Sequence, residues 1–344
     1  MLFKNRRLSV RQMQTIIILW IFASSIVGVP SVAIQNAAGV AMGALIVVIE
    51  GTIVIFTEHR VKESELLYRI ITIVAGVSTA IYSGINLRIM AGAVNLFLLQ
   101  KTPMIILGIV FAVGCMYMAI LGIQTVGRTG ELLFVIVALN AIIAIILCLI
   151  KAERKLLSAV TFYIDKETVY YGVKHAFMFG GMQILYLLIP YTEGKDKVKK
   201  IYYTIIISIS VVIFFTLIAI AKFGMNDMLS RVFPALNIMD TISLDFVFGD
   251  KQDAFMLRMW VFSTFIAVGM GIFFGGQAFT PRRSKSNIGI IPGFLICIDV
   301  SLTPKNTNSA IDMLYYLGLY SFIIFIIVFP LISLFIKEKR GDEI

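Results

Sequence analysis

The segment containing FASSIVGVP (22–30) and the segment FMFGGMQILYLLIPY (177–191) decide how this chain is read. Residues 15–34 and 171–191 are both apolar enough to be membrane helices. The first is interrupted by Ser24, Ser25, Gly28 and Pro30, and the second by Gly180 and Gly181 before it ends at Pro190. In a bilayer an unwound backbone is tolerated only where protein or a water-filled cavity surrounds it. The two interruptions stand five apolar segments apart. Matching breaks in two halves of a chain point to an inverted-repeat fold with a ligand near the membrane midplane.

Composition agrees with a membrane setting. The chain is 59% hydrophobic and only 15% charged, with a mean hydropathy of +0.93; soluble proteins carry roughly 25% charged residues. The net charge of +10 does not indicate nucleic acid, because the basic residues sit in loops beside apolar spans, where they orient the protein and face anionic lipid. Cys115, Cys148 and Cys297 lie inside apolar runs without paired spacing, which indicates packing rather than disulfides or zinc. Lys4, Arg6, Arg7 and Arg11 precede the first apolar run without a convincing cleavage site, so that run is expected to stay as an uncleaved first helix.

A span needs about 20 apolar residues to cross about 30 Å of hydrocarbon. That length predicts ten, near 13–35, 39–57, 67–98, 104–121, 131–150, 171–191, 201–222, 254–276, 287–302 and 313–336. The third is too long for an upright crossing and must tilt, protrude or end in an interfacial turn. Placing both termini in the cytoplasm puts 18 of the 30 lysines and arginines on that side, concentrated in short loops. Segments 151–170 and 223–253 mix apolar and charged residues and read as short interfacial helices. The expectation is a single all-α integral membrane domain over 1–344, built as a five-plus-five inverted repeat (about 13–150 and about 171–336) with helices 1 and 6 broken.

Particular strings sharpen this reading. RLSVRQMQTIIILWIFASSIVGVP (7–30), FLLQKTPMIIL (97–107), FMFGGMQILYLLIPY (177–191) with the lysine-rich run Lys195 to Lys200, and FPALN (233–237) with Asp253, Ala254 and Trp260 resemble the B-subunit permease family of spore germinant receptors. That family is similar to the amino acid–polyamine–organocation transporter superfamily. The resemblance covers essentially the whole chain. It implies the spore inner membrane, with an A-type membrane subunit and a C-type lipoprotein as partners. Members often carry a glutamate in the sixth span where this chain has Gln183, which removes a charge from that position.

The residues themselves suggest a ligand site. Unwinding around Ser24, Ser25 and Gly28 would free backbone groups, and a half-helix restarting there would offer its positive end to a carboxylate. Gly28 would allow close approach of the backbone, and Pro30, lacking a donor, fits the first turn of a new half-helix. The alternative is a proline kink with the serines bonded back to their own helix. Gly180 and Gly181 give span six the same freedom, or else serve close helix packing. Gln183 adds a neutral donor and acceptor. Ser78, Tyr82 and Asn86 share one face of span three, and span eight offers Ser263, Thr264 and Gly269, either as ligand contacts or as interhelical hydrogen bonds.

Among ionisable residues within spans, Glu50 is the best-buried carboxylate, with either a proton-linked or ion-pair role or a paired structural one. Arg88 is placed to snorkel to the outer interface, and Asp299 is interfacial. His59 and His175 are not at metal-ligand spacing, so no metal or cofactor is expected. Phosphate-binding and zinc-hydrolase motifs are absent, which argues against an enzyme. Two functions remain. One is a receptor subunit that binds a small nutrient, an amino acid by resemblance, and signals to partners; the other is a proton- or ion-coupled amino-acid transporter.

Overall fold

The computed structural model describes residues 7–32, 37–150, 164–230, 233–237, 253–280 and 287–335. Among them the chain is almost wholly helical. Span one is α1 (Val10–Val32), span two α2 (Ala37–Val61), span three α3 (Glu65–Phe97), span four α4 (Met104–Ile120) and span five α5 (Ile123–Ile150). Span six comes in two pieces, α6 (Lys166–Met178) and α7 (Ile184–Tyr191). Span seven is α8 (Lys197–Ser230), followed by the single turn α9 (Pro234–Asn237). Span eight is α10 (Asp253–Phe279), and span nine is a 3₁₀ turn (Asn287–Ile290) leading into α11 (Ile291–Leu302). Span ten runs through α12 (Thr307–Phe322), a π-helical stretch (Ile323–Val328) and α13 (Phe329–Leu334).

Local chemistry sets several boundaries. The Ser64 side chain accepts from the Leu67 amide to open α3, and Asn306 does the same for Ser309 at the start of α12. Asp165 and Thr168 form a reciprocal capping box at the head of α6. Gly122, at φ +99°, turns the chain between α4 and α5. Span five begins at Ile123 rather than 131, because Gly127, Arg128 and Gly130 are carried within the helix as its first two turns. Much of the expected interfacial segments, 151–163 and 238–252, lies outside the described residues.

Span one corrects the expectation of two broken helices. Its backbone is helical from Val10 to Val32, through Ser24, Ser25, Gly28 and Pro30. The reason is local: the Ser24 and Ser25 hydroxyls donate back to the Ile21 carbonyl at 3.3 and 2.5 Å, which satisfies them inside the helix instead of opening it. Span six opens as expected, with Gly180 at φ +96° and Gly181 at +63°.

Among the described residues, six helices are long and apolar enough to cross a membrane by length and composition, with two shorter apolar ones, Met104–Ile120 and Ile291–Leu302. Of these six, span eight is the most interior, with 78% of its most apolar window buried against 22% for spans five and ten. It packs most extensively on span three. Small residues permit this approach: a Cβ on Gly76 would lie 2.6 Å from the Phe274 carbonyl oxygen of span eight, and span nine comes as close, since a Cβ on Gly84 would lie 2.6 Å from the Cys297 carbonyl oxygen. Large apolar side chains such as Val110, Leu132, Ile207 and Tyr320 point outward, as a lipid-facing surface requires. A two-residue parallel pairing, Leu8 with Thr192 and Ser9 with Glu193, joins the start of span one to the end of span six. The Arg7–Glu193 ion pair reinforces it. The two spans therefore run antiparallel.

Candidate functional site

The site grows from the two positive-φ glycines. Leaving the helix at Phe179 and restarting at Ile184 exposes the Gly180 and Gly181 carbonyls. The Trp20 indole donates to both, at 2.9 Å and 3.4 Å. Trp20 also stacks on Tyr82 of span three, with ring centroids 4.5 Å apart. A side chain added at Gly180 would meet Tyr82 Oη at 2.6 Å, Trp20 Nε1 at 2.9 Å and Ser24 Oγ at 3.2 Å. Spans one, three and six thus bring three polar atoms to one point, and the absence of a Cβ at Gly180 makes room for them.

Span eight closes the remaining side. Its contacts with span three run antiparallel: Gly76 meets Phe274, and the Ser83 hydroxyl donates to the Ala267 carbonyl at 2.8 Å. Continuing that register sets Asn86 level with Thr264. Thr264 Oγ1 is buried without a hydrogen-bond partner, and the buried Tyr82 Oη and Asn86 Oδ1 make no hydrogen bond of full geometry, although the Tyr82 hydroxyl interacts with the Ser24 and Asn86 side chains. Such atoms cost about 1–3 kcal/mol each when left unmet, and in a native fold they mark a place where a ligand or water completes the pairing.

The other expected residues are distributed around this point. Ser25 is buried and bonded to its own helix. Ser263 donates to the Met259 carbonyl at 2.9 Å, so its hydroxyl proton is already used. Ser78 is half-buried one turn before Tyr82. Gly28 lies in the helical stretch whose side-chain surroundings fall outside the described residues, as do those of His175. Gln183 is buried and folds over Gly181. It lines a separate small cavity with Glu50. Arg88 donates to the Lys305 carbonyl at 3.2 Å and approaches the Met104 sulfur. It stands at the edge of the bundle, away from the glycine break.

Trp20 is the residue that sequence reasoning missed. Its signal was available: it is one of only two tryptophans in the chain, set mid-span among aliphatic residues, where an indole N–H needs a partner. The other, Trp260, donates to the Ala23 carbonyl at 2.6 Å. It packs on Phe233 of the FPALN string, which in turn packs on Phe97 at the end of span three. These aromatics cover the site from the side where α3 ends and α10 begins. At the opposite side Tyr191, Phe273 and Phe274 form a second aromatic cluster.

Comparison with known proteins gives the family and the fold. The spore germination protein family matches residues 7–310, and the chain belongs to that family. Spore germination protein B2 of Bacillus subtilis (strain 168) is 22% identical, over 96% of each chain. Among solved structures, MhsT in complex with L-phenylalanine superposes with a TM-score of 0.61 at 13% identity, covering 96% of this chain and 89% of that one. A substrate-bound, outward-open Na+-coupled sialic acid symporter superposes with a TM-score of 0.52 at 11% identity, covering 93% and 76%. The chain is a polytopic integral membrane protein with a transporter-type fold.

Proposed function

We propose that this chain is the membrane subunit of a spore nutrient receptor, and that it binds a small nutrient, an amino acid, beside the interruption of span six. The observation that carries the reading is the convergence of Trp20, Tyr82 and Ser24 on Gly180, with unpaired buried polar atoms on spans three and eight. A zwitterion suits such a place. Its carboxylate can accept from the Tyr82 and Thr264 hydroxyls, and its ammonium can donate to Asn86 Oδ1 and to a Gly180 or Gly181 carbonyl. Family membership supports a role in germination, and the L-phenylalanine complex of MhsT supports the ligand class.

On this reading the nutrient binds one arrangement of the bundle more tightly and shifts its population, and an A-type subunit and a C-type lipoprotein in the spore inner membrane receive the change. Both termini face the cytoplasm. The competing reading is a coupled transporter with the same fold, which the Na+-coupled symporter likeness favours. Both tryptophans of the chain lie at the site, so indole fluorescence reports its occupancy. The purified chain, titrated with a panel of proteinogenic L-amino acids, should change emission with one or a few of them, and deletion spores should fail to germinate on the same compounds. Gradient-driven accumulation by vesicles holding the chain alone, with normal germination of the deletion strain, would establish the transporter instead.

A further inference from the structure

The interruption of span six borders two places. Gly180 turns toward Trp20, Tyr82 and Ser24, whereas Gly181 and Gln183 line a separate cavity of about 10 Å³ shared with span two and span ten. That is room for a single water-sized occupant. Span two contributes Glu50, which is 3% exposed, and no described lysine, arginine or histidine forms a salt bridge with it. Span ten contributes Ser321, whose buried hydroxyl has no hydrogen-bond partner. Immediately beyond Ser321 and Phe322 the helix widens into π geometry over Ile323–Val328, a local irregularity often found at functional sites. Met182, Phe322 and Phe325 supply the rest of an apolar wall.

A carboxylate isolated in such surroundings is among the costliest groups a membrane protein can hold. Its charge has to be met where it stands, and the cavity holds the oxygens to do so: the Glu50 carboxylate, the Gln183 amide oxygen and the Ser321 hydroxyl. We propose that this cavity is a binding site for one small positive charge, a proton or an alkali-metal ion, adjoining the break in span six. The occupant neutralises Glu50 and fixes the position of Gln183 and Gly181. The site is distinct from the Gly180 site and does not depend on what binds there.

No other described residue lining the cavity ionises. On the elements packed against α2, Tyr186 of α7 bears on Thr57 and Glu58, Lys197 of α8 donates to the Ile189 carbonyl, and Tyr170 of α6 interacts with Tyr315 of span ten. Glu50 is therefore the group that any occupant of the cavity answers to.

The test uses the purified full-length chain in detergent micelles, with no nutrient present. Melting temperature is measured in sodium, potassium and choline chloride at constant ionic strength, and then across a pH series in choline chloride. An alkali ion should raise the melting temperature by about 5 °C at saturation relative to choline. A proton should instead give no salt preference and a melting temperature that falls as pH rises, because the charge that neutralises the carboxylate is then withdrawn. In either case Glu50→Gln should abolish the response, and Ser321→Ala should weaken an alkali response selectively. If Glu50→Gln does not fold, infrared difference spectra of the wild type serve. A protonated carboxyl band at neutral pH should disappear on adding the alkali ion or on raising the pH. A melting temperature indifferent to both variables, a response undiminished in Glu50→Gln, or no carboxyl change in the infrared would overturn the proposal.

Discussion

Spans one and six carry interruptions that look alike on paper, yet they behave differently in the fold. Span six has two adjacent glycines in left-handed conformations, with the helix ending at Met178 and restarting at Ile184. Span one has two serines, a glycine and a proline, and stays helical through all of them. The difference lies in what each residue type does with its backbone. Adjacent glycines remove the steric barrier to positive φ, and the carbonyls they release find a donor in Trp20. Serines instead supply a donor that satisfies their own helix, as Ser24 and Ser25 do at Ile21. One interruption is built to open; the other is a helix with spare hydrogen-bonding capacity.

The largest test of this contrast is Gly180→Ala. An L-residue held in the left-handed region costs about 1–2 kcal/mol, and the new methyl would press on Tyr82, Trp20 and Ser24. Crowding of that kind costs a further 1–3 kcal/mol, roughly. We expect a loss of about 3 kcal/mol, read as a marked drop in melting temperature, with loss of nutrient-induced fluorescence change. Normal melting and normal response would mean that the break does not hold the site together.

Trp20→Phe separates the hydrogen bond from the ring. Phenylalanine keeps a face for Tyr82 but leaves the Gly180 carbonyl without its donor. Side-chain hydrogen bonds within membranes average near 0.6 kcal/mol, and a buried carbonyl left unmet raises the loss to about 1–2 kcal/mol. Denaturant unfolding of the purified variant checks the value. An unchanged stability would show that the break is held by glycine conformation alone.

How far the sequence foretold this arrangement differs from place to place. The ten spans were legible because apolar length is a direct consequence of bilayer thickness, and boundaries at Met104, Phe97 and Leu302 fall within a residue or so of where hydropathy ends. Gly180 and Gly181 were legible as a candidate break, although a glycine pair alone does not decide it: Gly275 and Gly276 stay within the helix of span eight, where close packing uses them. The state of span one was not legible: Ser-Ser and Pro are compatible with both a kinked and an open helix, and only the orientation of two hydroxyls decides. Trp20 escaped notice because its role depends on a carbonyl 160 residues away. The neighbourhood of Glu50 required knowing that span ten passes beside the break of span six, which no local pattern encodes.

Ser24→Ala probes the quieter half of the comparison. The hydroxyl lies within reach of the space beside Gly180 and currently donates to Ile21 at 3.3 Å, a long bond that is easily exchanged. Removing it should change stability by no more than about 1 kcal/mol, since the helix does not depend on it. If the hydroxyl turns to the nutrient on binding, affinity for that nutrient should fall about fivefold to tenfold, an effect of about 1 kcal/mol. Equal affinity in the variant would confine Ser24 to a structural role.

Gly28→Ala is expected to have the smallest effect and the opposite sign. In a continuous helix, alanine is favoured over glycine by roughly 0.5–1 kcal/mol, so a span one that is always helical should melt slightly higher with the substitution and respond to nutrient as before. A span one that must open for the nutrient to bind would behave otherwise. The same substitution would then stabilise the closed helix against the open one and lower apparent affinity by the matching factor, about threefold to fivefold, because a ligand that binds a minor conformation is penalised by that conformation's scarcity. The two measurements together separate the cases. Raised melting with unchanged affinity assigns all of the conformational freedom to Gly180 and Gly181, whereas raised melting with weakened affinity assigns part of it to span one and makes the two interruptions equivalent in function though unlike in form.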